Sequence, residues 1–275
     1  MYIHFQAIRK DKEAGLIPFF CCATIGTTAS TAIDPIDKIG EICVAEGLWF
    51  HIDAAYAGSA CICPEYQYLL KGMENVNSFN MNPHKWLMTT FDCSAFWVDN
   101  KTDLTSAMNV VPEYLRNNAS DSGAVIDFRD WQLPLGRRFR SLKLYSVLKT
   151  VGVKGLQTMI RNVNNVIYEE TKRFFKHIQF AKDFEVLVRK DDRFEIVQPR
   201  TFALICLRVK GSNELNKKLE EILTASGKVL LSHGVLDGVY YLRFSVGAWT
   251  TTYKHVETAW EVIKQETEKL LATSQ

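Results

Sequence analysis

Lys85 stands in the run SFNMNPHKWL (78–87), between a histidine and a tryptophan. Lysine heads seek water, so apolar residues directly beyond it make a poor setting for a merely solvated charge. Two readings fit: an amine held still as a nucleophile, or a side chain that snorkels to the surface beside a buried strand. Thirty-two residues earlier, HIDAAYAG sets Asp53 at the end of an apolar run, with small residues after it that leave room for something flat. A buried carboxylate without a cationic partner is costly, by several kcal/mol, so Asp53 calls for one. Lys85 could be that partner, in a structural ion pair. A heterocyclic cation would serve Asp53 equally well and leave Lys85 free for covalent work. A pyridine ring carrying an aldehyde meets both demands. The lysine forms a Schiff base, and the carboxylate keeps the ring nitrogen protonated so that the ring can take up electrons. His51, Asp53 and His84 form a rival metal set. On an extended strand, however, His51 lies a full pleat deeper than Asp53, away from the convergent geometry that metal ligands need.

Such a site needs elements that bring Asp53 and Lys85 to one edge. LIPFFCCATI (16–25) is a near-continuous apolar run and reads as a strand buried on both faces. Asp34 and Pro35 then supply an N-cap and a first-turn proline, Ile36, Ile39, Ile42 and Cys43 mark a helical stripe, and Gly47 closes the helix. LWFHIDAA (48–55) is a second buried strand, so the three elements form a βαβ unit and a parallel sheet. Further strands are expected at 76–81 and 93–98. Ligands of parallel sheets sit at the carboxyl ends of the strands, where Thr27-Thr28, Asp53 and His84-Lys85 all fall. Residues 111–131 are polar and aperiodic and read as a long mobile loop. Helical pattern resumes over 138–150 and 153–182. After Arg193 short strands (194–199, 201–209, 228–233, 239–247) interleave with helices at 213–225 and 252–271, as in a separate α+β domain.

The chain's 275 residues suffice for one large and one small domain. A net charge of +2 argues against a nucleic-acid partner, and the absence of any run of 18 apolar residues argues against a membrane span. The charged N-terminal stretch has no apolar signal region. The seven cysteines are odd in number, contain no CxxC pair and sit partly in apolar runs, which predicts reduced thiols and a cytoplasmic protein.

HIDAAYAGSA followed by SFNMNPHKWL closely resembles the group II pyridoxal-phosphate decarboxylases, and within them the aromatic-L-amino-acid decarboxylases, including the plant tryptophan and tyrosine enzymes. CATIGTT, GSACICPEY, VPEYLRN, DWQLPLGRRFRS and VGVKGLQ extend the resemblance from about Gly15 to the C-terminus. It implies an aspartate-aminotransferase-like (fold type I) α/β large domain, incomplete here, plus a small C-terminal α+β domain. In those terms residues 1–150 hold the partial cofactor-binding domain with a catalytic loop at about 105–130, 151–190 the connecting helices, and 191–275 the small domain.

The resemblance also implies roles. Lys85 is the residue that binds pyridoxal 5'-phosphate covalently, Asp53 partners its ring nitrogen and Ala55 packs on the ring. Thr28 lies near the cofactor, Ser78 and Asn82 resemble residues that hold its phosphate, and His84 steers cofactor and substrate. Tyr114, in the loop, protonates the substrate carbon after carbon dioxide leaves. Relatives that make aldehydes typically carry phenylalanine there, so tyrosine favours plain decarboxylation of tryptophan, tyrosine or dihydroxyphenylalanine to the amine. Gly136 leaves room for a bicyclic ring and favours an indole substrate. The family works as a homodimer, and its chain extends well upstream of this Met1. The expectation is therefore a truncated chain: either a decarboxylase dependent on the lost segment, or an inactive remnant that binds a full-length partner.

Overall fold

The computed structural model describes residues 2–110, 118–161, 177–248 and 250–273. Two four-stranded sheets organise the chain. The first runs in chain order through β1 (Phe20–Thr24), β2 (Trp49–Asp53), β3 (Ser78–Met81) and β4 (Ala95–Val98). β1, β2 and β3 are parallel, and β4 closes the far edge antiparallel to β3. α1 (Tyr2–Glu13) precedes β1, and α2 (Ile36–Glu46) crosses from β1 to β2. α3 (Pro83–Trp86) is a single turn after β3, and α4 (Lys101–Met108) follows β4. α5 (Asn118–Asp121), α6 (Arg140–Ile160) and α7 (His177–Arg189) then lead to the second sheet.

That sheet is antiparallel throughout, in the order β5 (Phe194–Ile196), β6 (Leu204–Val209), β8 (Val239–Ser245), β7 (Ser232–Leu236). α8 (Asn213–Ala225) joins β6 to β7, and α9 (Tyr253–Ala272) follows β8. The Ser212 hydroxyl caps α8 by accepting the Leu215 N–H at 3.1 Å. α9 buries Val256, Trp260, Ile263, Thr267 and Leu270, a three–four spacing that keeps one face on the core. Phe184 of α7 stacks on Phe244 of β8 with centroids 3.7 Å apart, and its edge meets Trp260 at 5.7 Å. One continuous apolar core joins both sheets, from Phe50 and Ile52 in the first to Ile205 and Leu242 in the second.

Several sequence expectations are corrected. The first strand covers only Phe20–Thr24, and it is not buried on both faces. Ala23 faces the core, whereas Phe20 is 50% exposed, and Phe19 before the strand is 76% exposed. β1 pairs with β2 alone, so among the described residues its outer edge carries no strand. Apolarity marked the run correctly as a strand but could not report whether a second layer covers it. Asp34 does not cap α2, since its carboxylate accepts the Thr24 N–H at 2.8 Å and ties the loop to the end of β1. The helix starts at Ile36 after Pro35, and Gly47 ends it in the left-handed region (φ 69°). The break expected between the helical stretches near residue 150 is present as a kink at Gly152 (φ 70°, ψ 170°) in α6, and residues 162–176 of the second stretch lie outside the described residues. Among the described residues, no helix is long and apolar enough to cross a membrane.

Candidate active site

Register fixes which side chains meet. Thr24, Asp53 and Asn80 share one row across β1, β2 and β3, and Cys22, His51 and Ser78 share the row two residues deeper. At roughly 3.3 Å of rise per residue, those rows are about 7 Å apart. Asp53 is the last residue of β2, half-buried, with one carboxylate oxygen accepting the Ala55 N–H at 2.9 Å. Beyond β1 the chain turns at Gly26 (φ +83°), where a Cβ would lie 2.5 Å from that of Ala57. Only glycine lets the backbone approach so closely in that conformation.

The turn after Gly26 is held from the second sheet. The Arg243 guanidinium donates from Nε to the Ala29 carbonyl at 3.1 Å, to the Thr28 carbonyl from a second nitrogen, and to the Ser232 hydroxyl at 2.8 Å from the third. The Tyr241 hydroxyl reaches the same Ala29 carbonyl at 3.3 Å, and the Gln198 amide donates to the Ser30 carbonyl at 2.8 Å. Three successive carbonyls of one loop therefore depend on residues some 170 to 215 positions later.

Lys85 lies on α3, which Pro83 starts at the first turn. The Asn82 N–H donates to the Ala55 carbonyl at 3.1 Å, locking α3 against the strand that carries Asp53. Lys85 is exposed, and among the described residues it enters no ion pair, with Asp53 or otherwise. Its neighbours are anchored. His84 engages the Cys93 backbone through Nδ1, and Trp86 is 1% exposed and stacks on Tyr56 at 4.8 Å.

Two adjoining hollows meet at Lys85. One, of about 310 Å³, is lined by Thr24, Gly26, Thr28, Asp53, Ala55 and Lys85. The other, of about 240 Å³, adds Leu204, Arg243, Ser245 and Gly247 from the second sheet. Thr28, Tyr56 and Lys85 border both. Burial pushes the Tyr56 phenol above its ordinary range. The expected residues Thr28, Asp53, Ala55 and Lys85 thus line one hollow, whereas Asn82 and His84 line neither, and the His84 ring turns to Cys93 and Phe91.

Others are not. The Ser78 hydroxyl, one row deeper than Asp53, accepts the Trp49 indole N–H at 2.8 Å and meets His51 Nδ1 at 2.8 Å. His51 Nε2 meets Asn80 at 3.1 Å, so both ring nitrogens turn to β3. Gly136 is exposed and lines neither hollow, and its carbonyl accepts the Gln132 amide at 2.9 Å. Tyr114 lies outside the described residues. Sequence reading missed Tyr56, Arg243 and Gly247, whose places follow from the docking of the second sheet.

The residues present suit pyridoxal phosphate. Asp53 faces the hollow with one oxygen unengaged, able to hold a protonated ring nitrogen, and Lys85 offers an unpaired amine across the same space. The Asn82 side-chain oxygen is buried without a hydrogen-bond partner among the described residues, and Asn82 borders neither hollow. Together Asp53 and Lys85 face one hollow, with room for a flat ring, at the carboxyl edge of a parallel sheet. Residues 4–210 match the pyridoxal-dependent decarboxylase conserved domain, and the chain belongs to that family. It is 49% identical to a phenylacetaldehyde synthase of Arabidopsis thaliana, with 97% of this chain and 53% of the relative covered. It is 48% identical to tryptophan decarboxylase 2 of Oryza sativa subsp. japonica, covering 97% and 52%. Superposition on the crystal structure of Oryza sativa TDC with PLP and tryptamine gives a TM-score of 0.87 at 44% identity, over 96% of this chain and 54% of that one. The chain spans about half the length of the curated relatives it matches.

Proposed function

We propose that this chain carries the lysine-bearing part of a pyridoxal-phosphate site that decarboxylates aromatic L-amino acids to the amine and carbon dioxide, acting as a homodimer in the cytoplasm. The observation that supports this reading is the separation of Asp53 and Lys85 across one hollow without an ion pair. Bound pyridoxal phosphate supplies an aldehyde for covalent attachment and a protonated ring that accepts the electrons released as the carboxylate leaves. Lys85 gives the amine that tethers it. Asp53 keeps the ring nitrogen protonated, because an opposite charge within about 4–6 Å favours the charged form by about 1–3 pKa units. Thr28 and Ala55 border the ring space, and His84 steers from the side of α3. Tyr114 holds the proton delivered to the substrate carbon, since a phenol of pKa about 10 still carries its proton at neutral pH.

A second reading, in which the same substrates with dioxygen and water give aldehyde, carbon dioxide, ammonia and hydrogen peroxide, is favoured by the 49% identity to a phenylacetaldehyde synthase. The experiment loads the protein with pyridoxal phosphate, reduces it with borohydride and maps the labelled peptide. Products from tryptophan, tyrosine and phenylalanine are then measured. A label on Lys85 with amine and carbon dioxide in equal yield supports decarboxylation. Aldehyde with peroxide selects the second reading, and a label on another lysine refutes both.

A further inference from the structure

We propose that His177 is a positioning residue that sets the width of the Lys85 hollow from behind, by holding the Trp86 indole next to Lys85 and the Ala248 backbone next to Gly247. This goes beyond the decarboxylase reading and concerns how the hollow keeps its shape. Lys85 rides on a helix of one turn, and so short a helix has almost no stability of its own. Its lysine is exposed and cannot fix it. What fixes the C-terminal end of that turn is Trp86, stacked on Tyr56 at 4.8 Å and edge-on to Phe202 at 5.9 Å.

The Trp86 indole N–H donates to His177 Nδ1 at 3.0 Å, and His177 Nε2 meets the Ala248 carbonyl at 3.1 Å. An indole nitrogen can only donate, so Nδ1 must be the acceptor, and the ring proton sits on Nε2 and is donated to Ala248. One neutral tautomer satisfies both bonds. An imidazolium would set an N–H against an N–H, and burial independently lowers the affinity of this ring for a second proton. His177 is 0% exposed in α7, and Ala248 directly follows Gly247, which lines the hollow together with Lys85. The imidazole thus spans from the residue after Lys85 to the residue after Gly247, and its own length fixes their separation.

The test uses the full chain. In the indole nitrogen–proton NMR spectrum, the Trp86 signal is assigned by its loss in Trp86→Phe. His177→Phe keeps the buried ring but removes acceptor and donor, whereas His177→Asn restores an acceptor near Nδ1. Borohydride trapping of pyridoxal phosphate at Lys85 is timed for each. The expected result is an upfield-shifted Trp86 signal and at least tenfold slower trapping in His177→Phe, with partial recovery of both in His177→Asn. If His177→Phe does not fold, Trp86→Phe, which keeps the stack but removes the donor, is expected to show the same slowing. An unmoved Trp86 signal in His177→Phe, or unchanged trapping in a folded His177→Phe or Trp86→Phe, overturns the proposal. If wild-type protein takes no label at Lys85, the cofactor reading fails while the Trp86 signal still decides the indole–imidazole bond.

Discussion

Replacing Arg243 by methionine keeps an unbranched apolar stem and deletes the guanidinium that grips the Thr28 and Ala29 carbonyls. A hydrogen bond to a charged group contributes about 1.5–3 kcal/mol when its partners are shielded from water. Arg243 is half-buried, so water replaces part of what is lost, and Tyr241 still reaches Ala29. Thr28 is exposed, so solvent replaces most of that bond, and the Ala29 bond, discounted on both grounds, gives an expected loss of about 1–2 kcal/mol in folding stability. The bond to Ser232 adds little, because Ser232 is exposed and solvent replaces it. Urea unfolding reads the stability change, provided the slope against urea stays constant. The same variant should bind pyridoxal phosphate more weakly, because Thr28 borders both hollows and its backbone is no longer held. A loss below about 0.5 kcal/mol, the usual effect of a surface substitution, together with unchanged cofactor binding, would refute the idea that the second sheet shapes this loop.

Asp53→Asn should leave the fold intact, since the amide oxygen can still accept from Ala55, but lower the proton affinity of the bound cofactor's ring by about 1–3 pKa units; a pH titration of its visible absorbance checks this. The Arg140 guanidinium, aided by backbone and Arg138, holds the Asp92 carboxyl down at about 2. Its folded pKa lies below the unfolded value near ~3.9, so this contribution is complete above ~3.9 and is lost as pH falls toward 2. An NMR titration of Asp92 should follow that course, and Arg140→Gln should move its midpoint up. Phe184→Ala, which empties a site between Phe244 and Trp260, should cost about 3–5 kcal/mol in urea unfolding.

Asp53 and Lys85 were legible because one ends a strand and the other follows one, each strand an apolar run local in sequence, and parallel sheets place ligands at that edge. Gly47 was legible for a similar reason, as the break that ends a helical stripe. Arg243 was not, since an arginine inside VYYLRFSVG reads as any outward residue of an alternating strand. Its meaning comes from carbonyls more than 200 residues earlier, and hydrophobic periodicity carries no information about that docking. Asp34 had the type and place of a helix cap, yet the end of β1 offered its carboxylate a nearer N–H. Ser78 and Gly136 were assigned by resemblance, and the structure sets Ser78 one row below Asp53 and Gly136 away from both hollows.

That no strand among the described residues covers the outer edge of β1 has a consequence for the chain as a material. A parallel edge strand with aromatic flanks presents a row of N–H and C=O groups that any extended segment can copy. Encounter between two molecules is second order in concentration, whereas folding is not, so dilution should favour the single chain and crowding the paired one. Light scattering that grows faster than linearly with concentration, and falls when Phe20 becomes lysine, is the signature of such a template. The strand that opens the cofactor loop is then also the strand most in need of a cover.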